Sequence, residues 1–146
     1  MAIKAVIFDI DGTLSPQVSW TAFTKDIGAS VDEHLSIYKS HLDGQLSLED
    51  SKEQLLEMWQ STGKANRQHI MGMFDAWPLR PEAPAVIEWL KEHGYIVCII
   101  TGSVGVYAEH IAARLGIDEY YANAELYFDV DQQLSSFHYT SNQAEV

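Results

Sequence analysis

Cysteine, positive charge and long apolar runs are all scarce in this sequence of 146 residues. The single cysteine, Cys98, cannot form a disulfide within the chain. Because it lies in the apolar run Ile96–Ile100, we expect a buried core thiol rather than a nucleophile. No apolar stretch approaches the ~18–20 residues that cross a bilayer, so no membrane span is predicted. The N-terminus has no charged-then-apolar leader, and we therefore expect a cytoplasmic protein.

Positive charge is outweighed more than two to one, with nine Lys and Arg against 21 Asp and Glu and a net charge of −12. This balance disfavours a nucleic-acid backbone or an anionic membrane as a partner. It does not disfavour a phosphate-bearing small molecule, because a bound metal ion reverses the local potential. Hydrophobic residues make up 47% of the chain and charged residues 21%, which predicts one globular domain with a real core.

The stretch around which the chain is organised is its first strand and the turn after it. Residues 3–8 are predicted to be this strand, and Ala5–Phe8 within them is apolar and contains two β-branched residues, which predicts burial on both faces. Asp9 and Asp11 follow where the strand ends, and Gly12 permits a tight turn. Two adjacent carboxylates repel, and a hard divalent cation would compensate for them. One carboxylate is then placed to act as a nucleophile and the other as a general acid/base. The alternative is an ordinary capped turn in which Asp11 bonds nearby backbone N–H groups.

The middle of the chain changes to helical periodicity. Apolar residues recur at helical spacing from Trp20 to about Phe74, and Ser47 is predicted to cap a helix that has a carboxylate at its third position. Residues 17–78 are therefore predicted to be a helical insertion. Residues 1–16 and 79–146 are predicted to form the core that it interrupts.

The remaining segments alternate between helices and strands. We predict a helix over 83–93, a strand over Tyr95–Ile100, a helix over about 105–115, a strand over Tyr120–Asn123, and a hairpin of Leu126–Asp129 with Leu134–Tyr139. This order predicts an α/β fold with a parallel sheet. In such sheets, sites lie beyond the carboxyl ends of the strands, which is where the two carboxylates fall.

A second chemically suggestive cluster, Thr101-Gly102-Ser103, is predicted to follow the strand Tyr95–Ile100. The Thr101 hydroxyl is placed to donate to a phosphate oxygen, and the N–H groups of Gly102 and Ser103 are expected at the start of the next helix, where anions are favoured. The alternative is a simple N-cap, in which Thr101 or Ser103 bonds the helix N–H groups.

Together, Asp9-Ile10-Asp11-Gly12-Thr13-Leu14 and Thr101-Gly102-Ser103 resemble the first and second motifs of the haloacid dehalogenase-like (HAD) phosphohydrolases. The helical insertion, Arg114–Asp118 and Tyr121–Asn123 are similar to segments of the phosphoserine-phosphatase-like branch. The resemblance implies a Rossmann-like parallel sheet core with a small all-helical cap inserted after the first strand.

The resemblance also implies the chemistry and its residues. Asp9 would be the nucleophile and a metal ligand, and Asp11 would be the acid/base and bind the metal through its backbone carbonyl. Thr101 would hold the transferring phosphoryl group, with backbone help from Gly12 and Gly102. The implied activity is Mg²⁺-dependent hydrolysis of a phosphomonoester, a small phosphorylated metabolite, through an aspartyl-phosphate intermediate.

The chain departs from the family in its last third. No lysine follows Lys91, whereas the family needs one in its third motif, and no Gly-Asp pattern follows a later apolar strand as the fourth motif requires. We interpret the chain as the N-terminal portion of a longer phosphatase, truncated after the second motif and inactive alone. Its first strand would then be an uncovered edge strand, and we expect self-association through it.

The substrate is less defined by the sequence. Phosphoserine phosphatases hold their amino acid with a Glu after the first motif and an Arg in the cap, but Pro16–Ser19 has no Glu and Leu46–Trp59 has no Arg, which disfavours phosphoserine. Trp20, Trp59 and Trp77 either line an apolar pocket or pack within the cap bundle, and packing is the expected use.

Two other functions compete with the phosphatase. The first is a non-catalytic HAD-like domain that binds phosphate or a partner, with the later motifs truly absent from the gene product. The second is a response-regulator receiver domain, which also has acids at strand ends but poorly accommodates a large helical insertion after the first strand.

Overall fold

The computed structural model describes residues 4–140, so Ile3, where the sequence places the start of the first strand, lies outside the described residues. The elements in chain order are β1 (Ala5–Phe8), α1 (Ser19–Asp26), α2 (Val31–Leu42), α3 (Leu48–Gln60), α4 (Arg67–Ala76), α5 (Ala83–Glu92), β2 (Ile96–Val104), α6 (Gly105–Leu115), β3 (Glu119–Phe128) and β4 (Leu134–Tyr139). The predicted α/β fold with a helical insertion after the first strand is confirmed.

The strands form one sheet in the order β1-β2-β3-β4. β1 and β3 both pair with β2 in parallel, with Phe8 beside Ile99 and Thr101 beside Ala122. Within the described residues β1 lies at an edge of the sheet, as the sequence led us to expect. The predicted third strand and the first arm of the predicted hairpin are one continuous strand, β3, because no turn residue separates Asn123 from Leu126.

One face of this sheet differs from the prediction. α5 and α6 pack on β2 and cover the face that carries Val97 and Ile99, both of which are buried. On the opposite face, four large apolar side chains are at least half exposed: Ile7, Ile96, Ile100 and Tyr121. The expectation that β1 is buried on both faces is therefore wrong for the described chain, because the helices that pack on the sheet lie on a single face.

The chain divides into two compact units. Among the described residues, the sheet unit comprises residues 4–18, 77–125 and 138–140, and the helical unit comprises residues 19–76 and 126–137. Residues 126–137, which the sequence analysis assigned to the core, cluster with the helices because the main chain of Leu134 donates to the Ala65 carbonyl at 2.8 Å. Whether the two units are separate folding domains stays a prediction.

An aromatic cluster forms the core of the helical unit. Trp59 on α3 is fully buried, and its ring centroid lies 4.8 Å from that of Phe23 and 5.2 Å from that of Phe137. Its Nε1 donates a 2.9 Å hydrogen bond to the hydroxyl oxygen of Thr24 on α1. Trp59 therefore connects α1, α3 and β4, and the prediction that it packs within the helical bundle is confirmed.

A buried histidine in the helical unit is expected to make its stability depend on pH. His34 is buried on α2, and its Nδ1 lies 2.6 Å from the Thr24 hydroxyl oxygen. Burial lowers the pKa of His34 below its ordinary value of 6.5. Below about pH 6.5, His34 binds a proton more readily in the unfolded chain than in the folded chain. The contribution of neutral His34 to the free energy of unfolding is therefore present above about pH 6.5 and is lost as the pH falls.

We expect urea stability to decline between about pH 7.5 and about pH 5, and to decline less in His34→Gln, which cannot titrate there. His93→Gln, at an exposed position after α5, is the matched control and should keep the wild-type pH dependence. Equal pH slopes for the wild type and His34→Gln would contradict this account.

The structure bears on the single cysteine and on the lack of long apolar runs. Cys98 is a buried thiol, as expected, and burial followed by the nearby Glu119 carboxylate raises its pKa. Over residues 4–140, every helix is too short or too polar to cross a membrane.

Candidate active site

The turn after β1 presents both predicted carboxylates. Asp9 is exposed directly beyond the strand, and its Oδ1 accepts a 2.8 Å hydrogen bond from the Ile10 N–H. Asp11 is half-buried two residues later. Gly12 has a φ of +70°, which L-residues with a side chain rarely adopt, and an added Cβ there would meet nothing within 4 Å. The glycine is therefore required by its backbone conformation, and it leaves open space beside the two acids.

The layer behind this turn was not predicted from the sequence. Ser15 and Tyr107 are fully buried. Burial raises the pKa of the Tyr107 phenol, the Ser15 hydroxyl opposes that rise, and the Asp11 carboxylate adds to it. Trp77 packs edge-to-face on Tyr107 at 5.1 Å, and its carbonyl accepts from Arg114 Nη1 at 2.8 Å. Trp77 thus packs in the sheet unit, and its expected place within the cap bundle is wrong.

The second cluster lies within a strand rather than after one. β2 continues through Val104 and α6 begins at Gly105, so the expectation that the Gly102 and Ser103 N–H groups start the helix is wrong. The β2–β3 pairing is irregular between Thr101 and Val104, and β2 continues beyond this irregularity. The Thr101 hydroxyl oxygen accepts from the Ser103 N–H at 3.1 Å, so that N–H already has a partner.

The sheet register nevertheless brings the two clusters to the same edge. Phe8 pairs with Ile99, which lies two residues before Thr101 on β2. Asp9, directly after Phe8, therefore lies at the same edge of the sheet as Thr101. Thr101 is buried, whereas Gly102 is exposed and an added Cβ there would meet nothing within 4 Å. An anion can therefore approach the backbone at Gly102 more closely than it can reach the Thr101 side chain.

The first turn of α6 carries an acidic neighbour that the sequence did not reveal. A Cβ added at Gly105 would lie 2.7 Å from Glu125 Oε2 and 2.8 Å from its Cδ, so the Glu125 carboxylate packs against this glycine and would have to shift for a larger residue. The positive end of a helix favours such a carboxylate. Glu125 therefore brings negative charge to the helix end that the sequence analysis assigned to phosphate.

The carboxylates of Asp9 and Asp11 have the oxygen donors that a divalent cation needs, but they supply few ligands. Carboxylate oxygens are the donors that Mg²⁺ prefers, and Asp9 and Asp11 provide two such side chains. Within residues 4–140 there is no group of three His, Cys, Asp or Glu residues arranged to hold a metal ion.

Two surface cavities are lined by residues of the helical unit. One of about 590 Å³ is lined by Asn66, Arg67 and neighbouring polar residues of α4, together with Asp131, Gln132 and Gln133 of the hairpin. A second, of about 350 Å³, is lined by residues of α3 and the same hairpin. None of the predicted catalytic or phosphate-binding residues lines either cavity.

Comparison with known families then assigns the chain. The family model of the haloacid dehalogenase-like hydrolases matches residues 3–135, and the chain belongs to this family. A search of curated proteins returned no significant match.

Solved structures of similar fold include phosphoserine phosphatases. The chain superposes on a phospho-aspartyl intermediate analogue of phosphoserine phosphatase with a TM-score of 0.70 and 21% identity, covering 95% of this chain and 64% of that one. A substrate-bound phosphoserine phosphatase complex gives a TM-score of 0.70 and 22% identity, with 95% and 64% coverage. A HAD family hydrolase from Salmonella enterica subsp. enterica serovar Typhi gives 0.72 and 18%, with 91% and 44% coverage. At these identities the likeness shows the fold, and the chain spans less than two thirds of the length of each structure.

Proposed function

We propose that this chain belongs to a Mg²⁺-dependent phosphomonoester hydrolase that acts on a small phosphorylated metabolite through an aspartyl-phosphate on Asp9. The observation that carries the proposal is the pair of carboxylates at the carboxyl end of β1, at the same edge of the sheet as Thr101 on the neighbouring strand, in a chain of the HAD-like hydrolase family. Such a substrate suits a cytoplasmic enzyme, with neither nucleic acid nor membrane as a partner.

The proposed reaction has two steps. The Asp9 carboxylate attacks phosphorus, and the ester oxygen leaves with a proton donated by Asp11. Asp11 then takes a proton from water, which attacks the phosphorus of the aspartyl-phosphate and releases phosphate, returning Asp9 to a carboxylate. Thr101 and the backbone at Gly12 and Gly102 are proposed to hold the phosphoryl oxygens during both steps.

The exposure of the two carboxylates suits their roles. Asp9 is exposed to an incoming substrate, while Asp11 is half-buried near Ser15 and Tyr107, where its position is more restricted. Mg²⁺, bound by the Asp9 carboxylate and the Asp11 carbonyl, would offset the negative charge of the phosphoryl group and of the acids.

We expect full activity only in a protein that also carries the third- and fourth-motif residues of the family. No lysine follows Lys91, and the Asp9 carboxylate with the Asp11 carbonyl is a small ligand set for an ion that demands octahedral oxygen coordination. We therefore propose that residues 1–146 alone bind Mg²⁺ weakly and turn over little substrate. Calorimetric titration of these residues should yield little heat, and micromolar affinity would contradict this part of the proposal.

The function is tested by a phosphatase screen on the protein expressed from its complete reading frame, hereafter the full-length protein. Phosphate release is measured over a panel of phosphorylated metabolites and aryl phosphates, with Mg²⁺ and again with a chelator. We expect hydrolysis that the chelator abolishes. Phosphate binding without turnover would instead support a non-catalytic HAD-like binding domain.

We also propose that copies of residues 1–146 associate through β1. Among the described residues β1 pairs only with β2, and Ala5–Phe8 contains no proline or charge that would deter another strand. Ile7 on this strand is 61% exposed. A second copy of β1 offers the same edge and the same apolar face, so a two-fold contact is self-complementary.

Sedimentation across a concentration series tests this association. We expect the wild-type chain to form dimers or larger species, more so at high salt because the net charge of −12 is screened. Ile7→Lys should shift it toward the monomer, whereas Val130→Lys, at an exposed position in the β3–β4 turn, should not. A monomeric wild type at high concentration would contradict the proposal.

A further inference from the structure

Arg80, between the helical insertion and α5, folds back onto the turn that carries the two carboxylates. Its Nε donates to the Thr13 carbonyl at 2.8 Å, and its Nη2 donates to the Gly12 carbonyl at 3.1 Å. Its backbone N–H donates to the Leu14 carbonyl at 2.8 Å. One residue therefore binds three successive carbonyl groups of this turn.

These three bonds complete a turn that is otherwise held from within through its N–H groups. The N–H groups of Thr13 and Ser15 both donate to the Ile10 carbonyl at 3.0 Å, and the Gly12 N–H donates to the Gln17 carbonyl at 3.2 Å. Those bonds orient donors, whereas Arg80 orients the carbonyls. Since each peptide plane carries one donor and one acceptor, holding both leaves the planes around residue 12 little freedom to rotate.

Of the two carboxylates, Asp11 depends more on this turn. Asp9 directly follows β1, whose backbone is held by pairing with β2. Asp11 lies two residues further on and immediately precedes Gly12, whose carbonyl Arg80 binds. We propose that Arg80 is a positioning residue for Asp11, holding the turn in the conformation in which Asp11 can transfer a proton. This inference rests on the proposed function, in which Asp11 is the general acid.

The chemistry of arginine suits this task better than that of lysine. The guanidinium is a planar fork whose donors reach two acceptors at once, whereas an ammonium group is a compact donor on a flexible stem. The Gly12 and Thr13 carbonyls are neighbours in the chain and are bound by two nitrogens of the same fork. Arg80→Lys should therefore retain one of the two side-chain bonds, and Arg80→Met should retain neither.

The test uses two aryl phosphates of nearly the same shape and the full-length protein. Phenyl phosphate has a basic leaving oxygen that needs a proton, whereas p-nitrophenyl phosphate has a leaving group that departs readily without one. A displaced general acid should reduce kcat/KM for phenyl phosphate ~10-fold more than for p-nitrophenyl phosphate in Arg80→Met. Arg80→Lys should fall between Arg80→Met and the wild type. Arg67→Met, which removes an exposed arginine of α4, should leave kcat/KM unchanged for both substrates.

Each result has a defined meaning. Equal losses on both substrates, or no loss in Arg80→Met, would overturn the inference and leave the proposed function standing. An inactive wild-type full-length protein would overturn the proposed function instead. The inference would then be decided by hydrogen exchange of the Thr13 and Ser15 amides in residues 1–146. Faster exchange in Arg80→Met at an unchanged urea midpoint supports a positioning role, and unchanged exchange overturns it.

Discussion

Asp9→Asn is expected to abolish phosphomonoester hydrolysis by the full-length protein, because an amide cannot serve as the attacking nucleophile. Asp11→Asn should lose most activity, since general acid/base catalysis contributes ~10²–10⁴-fold. Thr101→Ala should be milder, because Thr101 is buried and the exposed backbone at Gly102 is unchanged. Initial rates on an aryl phosphate at saturating Mg²⁺ measure all three variants.

Asp118→Asn is the matched control for these carboxylate changes. Asp118 is exposed immediately before β3, at the opposite end of the strands from Asp9, and should retain wild-type rates. Urea midpoints within experimental error of the wild type would exclude unfolding as the cause of any loss. Unchanged aryl phosphate hydrolysis by Asp9→Asn would rule out the aspartyl-phosphate mechanism.

Trp59→Ala is expected to produce the largest loss of stability among single substitutions in the helical unit. Trp59 is fully buried between Phe23 and Phe137 and donates to Thr24. Removing a buried aromatic side chain costs ~3–5 kcal/mol, since the cavity it leaves only partly collapses. Urea denaturation followed by far-ultraviolet circular dichroism should show the lowered free energy of unfolding.

Trp89→Ala provides the control for this substitution. Trp89 is 53% exposed on α5 and stacks on His93, so its removal should cost less than about 1 kcal/mol. Similar losses for the two tryptophans would contradict the view that the Trp59 cluster is the core of the helical unit.

Several elements could be predicted from local sequence because their causes are local. Ser47 caps α3 by accepting from the Asp50 N–H at 3.0 Å, in the place that its spacing from the following carboxylate predicts. The Asp131-Gln132-Gln133 turn joins β3 to β4 as expected, and Gln132 adopts a φ of 63° there. Helix periodicity likewise predicted the succession of helices between β1 and α5, because side chains on one face recur every three or four residues.

The site was predicted only in part. The order Asp-x-Asp-Gly after an apolar strand placed Asp9 and Asp11 at a strand end, and the parallel register puts Thr101 at the same edge. The roles of these residues remain predictions. That β2 continues through Thr101, Gly102 and Ser103 could not be predicted, because the β2–β3 pairing that extends it involves residues of a distant segment.

The sequence by itself determined the family, the order of helices and strands, and the pairing of two carboxylates with a tight turn, since all of these depend on residues that are neighbours in the chain. The tertiary structure alone decided which groups surround that turn. Arg80 binds the Thr13 carbonyl 67 residues before it, and Tyr107 approaches Asp11 from α6. It also decided that α5 and α6 cover a single face of the sheet. Such contacts depend on how distant segments pack, and no local pattern of polarity or spacing encodes them.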